Sequence, residues 1–207
     1  MSVQVARPWL TVSLAGTWRA LSFAPYRSGD VDCQQIIWRE VRDADLTEDF
    51  DALGWLASEV GNAEAVAMLT SRNVERFVHR RVEVGRVVAE AAVTVGLSNA
   101  ERVGFRRGAS LRFGTINVGV AVSEGLTMAA RIEAMSIAAS ARTAAVLDAT
   151  VEIETGLATG TGTDCIVVAS PNGACGFAGM HTEAGEAIGA VVYGAVSDGV
   201  AHWLAEH

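Results

Sequence analysis

Apolar residues alternate with small or polar ones over residues 87–95 and again, more sharply, over 115–122. In the first stretch Val87, Ala89, Ala91, Val93 and Val95 form one set, and the even positions include Glu90 and Thr94. In the second, Ile116, Val118, Val120 and Val122 point one way, and Thr115, Asn117, Gly119 and Ala121 the other. A period of two is that of a β-strand. The second strand therefore offers a branched aliphatic face to a core and a small face that a neighbour can approach closely. Shorter apolar runs predict strands over 18–23, 34–41, 65–69 and 165–169, with a turn carrying Ser28, Gly29 and Asp30 between the first two.

Three segments carry the helical period instead. Phe50, Leu53, Leu56 and Val60 recur at helical spacing over 46–60. Residues 126–147 are rich in Ala, the best helix former. There Arg131 and Arg142 lie close to three turns apart, so they share a narrow polar stripe with Glu124, and the rest of the circumference predicts burial on most sides. Over 182–205, Ile188, Val192, Val196, Gly199 and Trp203 mark a core stripe. Gly185, Gly189 and Gly194 each cost about 1 kcal/mol of helix propensity, which close approach to a sheet would offset. Strands near 66–122 lack crossover helices between them, which argues against a doubly wound parallel sheet. The expectation is one domain over 1–207, an α/β (α+β) sandwich with mixed, largely antiparallel sheet layers covered by long helices.

Composition narrows the function classes. Half of the 207 residues are hydrophobic, and 21 glycines against 3 prolines suit ordered strands and tight turns. The formal net charge of −8 repels phosphate backbones, so nucleic acid is not an expected partner. The basic cluster Arg76, Arg80, Arg81 and Arg86 reads first as a solvated strand-and-turn face and second as a phosphate contact. Cys33, Cys165 and Cys175, odd in number and widely spaced, do not form a disulfide framework. No signal peptide opens the chain, and no run of about 18 apolar residues spans a membrane. A cytoplasmic protein without a membrane partner is expected.

The densest chemical signal is Ala158-Thr159-Gly160-Thr161-Gly162-Thr163-Asp164, leading into the 165–169 strand. Its glycines widen the backbone choices, and its hydroxyls and amides suit an oxyanion or a polar amide. A capped glycine-rich turn is the competing structural reading. The segment is not a nucleotide P-loop, for it lacks the closing Lys-Ser/Thr pair, and Cys165 stands where a dinucleotide fingerprint needs glycine.

A second signal, Gly179-Met180-His181-Thr182-Glu183-Ala184-Gly185-Glu186, heads the last helix. His181 beside carboxylates suits general acid–base work. Thr182 and Glu183 also suit an N-cap and a first-turn acid. His79, His202 and His207 read as surface residues. Asn117 either orients a substrate or ties two strands together. Neither a zinc motif nor a Gly-x-Ser-x-Gly elbow is present, so no metal is expected.

Taken in order, five segments resemble the adenosylcobinamide amidohydrolase family over about residues 17–195. They are Met68-Leu69-Thr70-Ser71, the 92–100 stretch, Gly114-Thr115-Ile116-Asn117, 158–164, and Gly179-x-His181-Thr182-x-x-Gly185-Glu186. Met180 stands where the family often has lysine, and Ala141-Arg142 where it has an alanine–lysine pair. The resemblance implies hydrolysis of the aminopropanol amide of adenosylcobinamide. The products would be adenosylcobyric acid and aminopropanol or its phosphate, in corrinoid salvage. It implies a corrinoid small-molecule substrate and no cofactor, and leaves a homo-oligomer open. The site expectation gives proton transfers to His181 or Asp164 and the oxyanion to Thr161 and Thr163. Asn117 orients the amide, and Thr159, Gly160, Gly162 and Glu186 also touch substrate. Water is the preferred nucleophile, ahead of a threonine hydroxyl. The turn near Thr161 and His181 are expected to converge on one pocket. Two alternatives stand beside this reading, a non-catalytic corrinoid-binding module and an amidase of another small amide.

Overall fold

The computed structural model describes residues 1–42, 51–61, 64–105 and 114–207. Strands β1 (Ser2–Ala6), β2 (Trp9–Ser22) and β3 (Gly29–Glu40) precede helix α1 (Ala52–Val60). Strands β4 (Ala65–Thr70), β5 (Val78–Val84), β6 (Val87–Val95), the two-residue β7 (Ala100–Glu101) and β8 (Ile116–Val122) lead to helix α2 (Met128–Asp148). The short β9 (Glu152–Ile153), β10 (Gly156–Leu157) and β11 (Gly160–Thr161) come before β12 (Cys165–Ser170) and helix α3 (Glu183–Glu206).

Eight strands form one mixed sheet in the order β4-β3-β2-β12-β8-β6-β5, with β1 added to β2. The pairs β3–β4 and β8–β12 are parallel and the others antiparallel. The register of β2 breaks between Ser13 and Trp18, so its first half pairs β1 and its second half β12. Strand twist accumulates until the sheet curls over its own face. Asn117 Nδ2 on β8 donates to the Leu69 carbonyl on β4 at 2.7 Å, although β3, β2 and β12 lie between those strands in the sheet. A Cβ at Gly119 would come within 2.5 Å of the Trp38 ring on β3. The small face expected on this strand thus receives a tryptophan of the protein's own core.

Alternation along the strands builds two cores. Ile116, Val118, Val120, Val122, Ile166 and Val168 pack under α2 and α3. The opposite set, including Val167, Ala169 and Ala92, fills the inside of the curl with Leu10, Ile36, Trp38 and Met68. Helix α1 covers β3 and β4 from outside through Leu56. Asp51 caps it by accepting from Gly54 N at 2.9 Å, and Gly61 ends it in the left-handed region at φ 55°. The part of the predicted 46–60 helix before Asp51 lies outside the described residues.

Several details depart from the sequence pattern. The first half of β2 and all of β1 and β5 were not predicted. In β5, His79, Arg80 and Arg81 interrupt the apolar rhythm because the strand is a sheet edge with exposed residues. The arginines in and beside β5 meet carboxylates: Arg80 pairs with Asp198, Arg81 with Glu83, Arg86 with Glu124 and Arg76 with Glu206. The solvated-face reading is the one seen. In α2, Arg131 and Arg142 do not line a solvent stripe. Arg131 is buried, donating to the Leu126 carbonyl at 2.6 Å and facing Asp30 at 3.3 Å. Ile132 is exposed instead, so α2 buries one side only. In α3 the close approach to the sheet occurs at Gly194, where a Cβ would lie 2.7 Å from Arg80 Nη1 on β5, and at Gly199, where it would lie 2.5 Å from Val95 Cγ2 on β6. Gly185 makes room for the carbonyls of Ala178 and Gly179, and Gly189 meets only Ile137.

Candidate functional site

The threonine–glycine turn precedes β12 and sits at the start of the parallel β8–β12 pair, where Cys165 faces Asn117 across the ladder. Asp164 organises it. Its Oδ1 accepts from Ile116 N at 2.9 Å and from the Thr161 hydroxyl, and its Oδ2 accepts from Thr161 N at 3.0 Å and pairs with Arg142 Nη1. Four donors occupy the lone-pair sites of one carboxylate. All the acceptor sites of Asp164 are thereby taken up in ordering the turn. Gly160 has a steric reason, because a Cβ there would strike both the Arg142 guanidinium and the Asp164 carboxylate. The Arg142 guanidinium is held below its ordinary pKa by burial.

Further bonds lock the turn to its neighbours. Gly162 N donates to the Asn99 carbonyl at 3.2 Å, and Thr159 N to the Glu101 carbonyl at 2.8 Å. The Thr159 hydroxyl accepts from Val103 N at 2.8 Å, and the Thr163 hydroxyl donates to the Gly114 carbonyl at 3.0 Å. The Thr115 hydroxyl lies 2.8 Å from the Thr163 carbonyl and 3.1 Å from Asn117 Oδ1, and its single proton serves one of them at a time. Asn117 is fully buried and bonded through both ends of its amide, so the strand-tying reading is the one its contacts support.

Beside this network the mouth of the curl opens into a pocket of about 410 Å³. Phe23, Pro25, Val41 and Leu69 give it an apolar wall, and Thr70, Ser71, Thr115 and Thr163 line the rest beside Cys165. Such a mix of apolar surface and a few polar groups at a barrel-like mouth suits a small-molecule arm. Among the described residues Cys165 is its ionisable lining group, and burial pushes that thiol up to about 11. It is a protonated thiol at neutral pH, not a ready nucleophile. Thr70, Ser71 and Cys165 were not among the expected site residues. The Met68-Leu69-Thr70-Ser71 motif marked the place, but in sequence Thr70 and Ser71 look like a plain turn and Cys165 like a strand residue.

His181 does not join this pocket. Thr182 caps α3, its hydroxyl accepting from Gly185 N at 3.0 Å and donating to the Gly179 carbonyl at 2.8 Å. Glu183 reaches the β5–β6 turn, where its carboxylate accepts from Arg86 N at 3.3 Å. Gly199 of the same helix sits against Val95, which pairs with Ile116 beside Asp164. From residue 183 to residue 199 an α-helix rises about 24 Å at 1.5 Å per residue. The expected convergence is therefore corrected, since His181 and Glu186 lie at the far end of the sheet from the turn. Glu186 and Met180 instead line a shallow groove between α2 and α3. The spacing of the two motifs in sequence hid this, because the length of β12 and a return loop separate them.

Among the described residues no helix is long and apolar enough to cross a membrane. The family model for CbiZ, adenosylcobinamide amidohydrolase, matches residues 1–207, the whole chain. A search of curated proteins found no match.

Proposed function

Because the chain belongs to the adenosylcobinamide amidohydrolase family, an enzyme family acting on a non-peptide amide, we propose that it cleaves the aminopropanol amide at the mouth of the curled sheet. The products are adenosylcobyric acid and aminopropanol, which places the reaction in salvage of incomplete corrinoids. The observation that carries this reading is the pocket itself, an apolar recess lined by hydroxyl-bearing residues from the end of β4, the residue before β8 and the turn before β12.

In this reading the aminopropanol arm enters against Phe23, Pro25 and Leu69. Hydroxyls of Thr70 and Ser71 polarise the amide carbonyl and hold the oxygen that becomes anionic when water adds, while Thr163, whose proton goes to the Gly114 carbonyl, shapes the wall beside them. The Thr70 hydroxyl already accepts from Arg72 N at 3.1 Å, which fixes its oxygen and leaves its proton for a ligand. Asp164, Arg142, Thr161, Gly160 and Gly162 keep the turn in place, and Thr159 anchors its start. Asn117 sets the distance between β4 and β8. His181 has no part in the chemistry.

Incubation with adenosylcobinamide, followed by mass spectrometry for adenosylcobyric acid and aminopropanol, tests the reaction. Ser71→Ala is expected to lower kcat/KM by about 10- to 100-fold, the range for loss of an oxyanion donor. His181→Ala is expected to stay within about twofold. A coloured complex without released product would favour a corrinoid-binding module, and loss of activity in His181→Ala alone would move the site to the other end of the sheet.

A further inference from the structure

A second pocket, of about 260 Å³, adjoins the first and has no role in the hydrolysis described above. Ser71 lines both. Between them stands the turn 96–99, whose Gly96 and Ser98 face the second pocket. Gly114 of the first pocket packs so closely on that turn that a Cβ there would lie 2.9 Å from Ser98 N. A ligand filling the first pocket therefore has the second within reach.

The polar groups around the second pocket combine two arginines with one carboxylate. Arg72 donates through Nη1 to Glu206 at 2.6 Å, and Arg76 faces the same carboxylate at 3.5 Å, so the Nη1 end of Arg72 is already taken. The Arg72 side chain is 11% exposed, and its Nε–H is buried with no acceptor among the described residues. Asn73 uses Oδ1 to accept from Glu75 N at 2.9 Å, which leaves its amide hydrogens for another partner. The hydroxyls of Ser71 and Ser98 both donate and accept. Trp203, stacked on His207 with ring centroids 4.3 Å apart, closes one side with a flat apolar face. A carboxylate or phosphate placed here would face Glu206 and bring no proton to the serine oxygens. A neutral primary amide brings a carbonyl for Arg72 Nε–H and an NH₂ for the hydroxyls, so it pairs both kinds of group.

A corrinoid presents several primary amide side chains around its macrocycle. We propose that the second pocket binds one of these peripheral amides while the first holds the arm to be cleaved, with Arg72 as the specificity-determining residue. The inference rests on the reading of the first pocket given above. It makes the enzyme select the amidated macrocycle, not the aminopropanol amide alone.

Arg72→Lys keeps a cation for Glu206 and removes the Nε–H. Ser98→Ala removes one hydroxyl from an exposed turn. Adenosylcobyric acid retains the peripheral amides and lacks the aminopropanol arm, so its dissociation constant, followed by corrin absorbance in equilibrium dialysis, reads the second pocket. In Arg72→Lys that constant and the KM for adenosylcobinamide are expected to rise about tenfold, with kcat within about twofold. Ser98→Ala is expected to raise both constants about threefold. Unchanged affinity in the two variants, or a kcat that falls in step with kcat/KM, would overturn the inference. A wild-type enzyme that releases no adenosylcobyric acid defeats the reading of the first pocket and this one with it. An active wild type with an unaffected Arg72→Lys defeats this one alone.

Discussion

Replacing Asp164 by Asn is the sharpest probe of the turn. The asparagine oxygen can keep the donors Ile116 N and the Thr161 hydroxyl. Its NH₂ then faces Thr161 N–H and the Arg142 guanidinium, donor against donor. Removing one partner of a buried ion pair costs about 3–5 kcal/mol, and an unsatisfied buried N–H about 1–3. Arg142 keeps 17% of its side-chain surface, so water relieves part of both losses, and the expected cost is about 3 kcal/mol. For a domain of this size 1 kcal/mol moves Tm by about 2–4 °C, giving a drop of about 6–12 °C by differential scanning calorimetry at pH 7. Adding Arg142→Met removes the stranded charge, so the double variant is expected to melt above Asp164→Asn. A single variant that melts within about 2 °C of the parent, or a double variant whose loss equals the sum of the two singles, would refute the buried-pair argument. Turnover should fall with the loss of order, because the same turn carries Thr163 into the pocket wall.

Other expectations are independent of that pair. Cys165, with its thiol pushed up to about 11, should be alkylated slowly by iodoacetamide at pH 8, the rate rising about tenfold per pH unit until near 11; peptide mapping that shows a plateau near 8.5 would contradict the burial argument. The sign for stability follows. A thiol whose folded pKa exceeds its unfolded value near 9 contributes fully below pH 9, and that contribution is lost as pH rises through about 11. Cys33, buried and shifted the same way, adds to the loss, so Cys165→Ala should diminish the fall in urea midpoint without abolishing it. Two glycines of α3 should respond with opposite signs. Gly199→Ala drives a methyl into Val95 and should lose about 1 kcal/mol or more in urea unfolding, whereas Gly189→Ala, 3.5 Å from Ile137, should gain up to about 1 kcal/mol of helix propensity.

The sequence determined what short-range periodicity can encode. The two-residue alternation of 115–122 and 87–95 specifies strands with two distinct faces, and both faces are used, one under the helices and one inside the curl. Thr182 capping α3, the alanine-rich α2 and the strand at 165 are likewise local, because each depends on neighbours within one or two turns. Three of the five family motifs, at 68–71, 114–117 and 158–164, also marked segments that line the pocket. Only the tertiary structure decided which of them meet. The curl brings Leu69 to Asn117 and Thr70 and Ser71 toward Thr163, contacts between strands far apart in sheet order that no period along the chain records. It also made Arg142, read from the sequence as part of a narrow polar stripe, the counter-ion of Asp164. Conversely, a strand and the whole rise of α3 separate His181 from the turn that sequence order seemed to pair with it. Burial, charge pairing and reach depend on where the sheet closes, and that is fixed by accumulated twist and by the packing of Trp38 on Gly119, not by any residue's immediate neighbours.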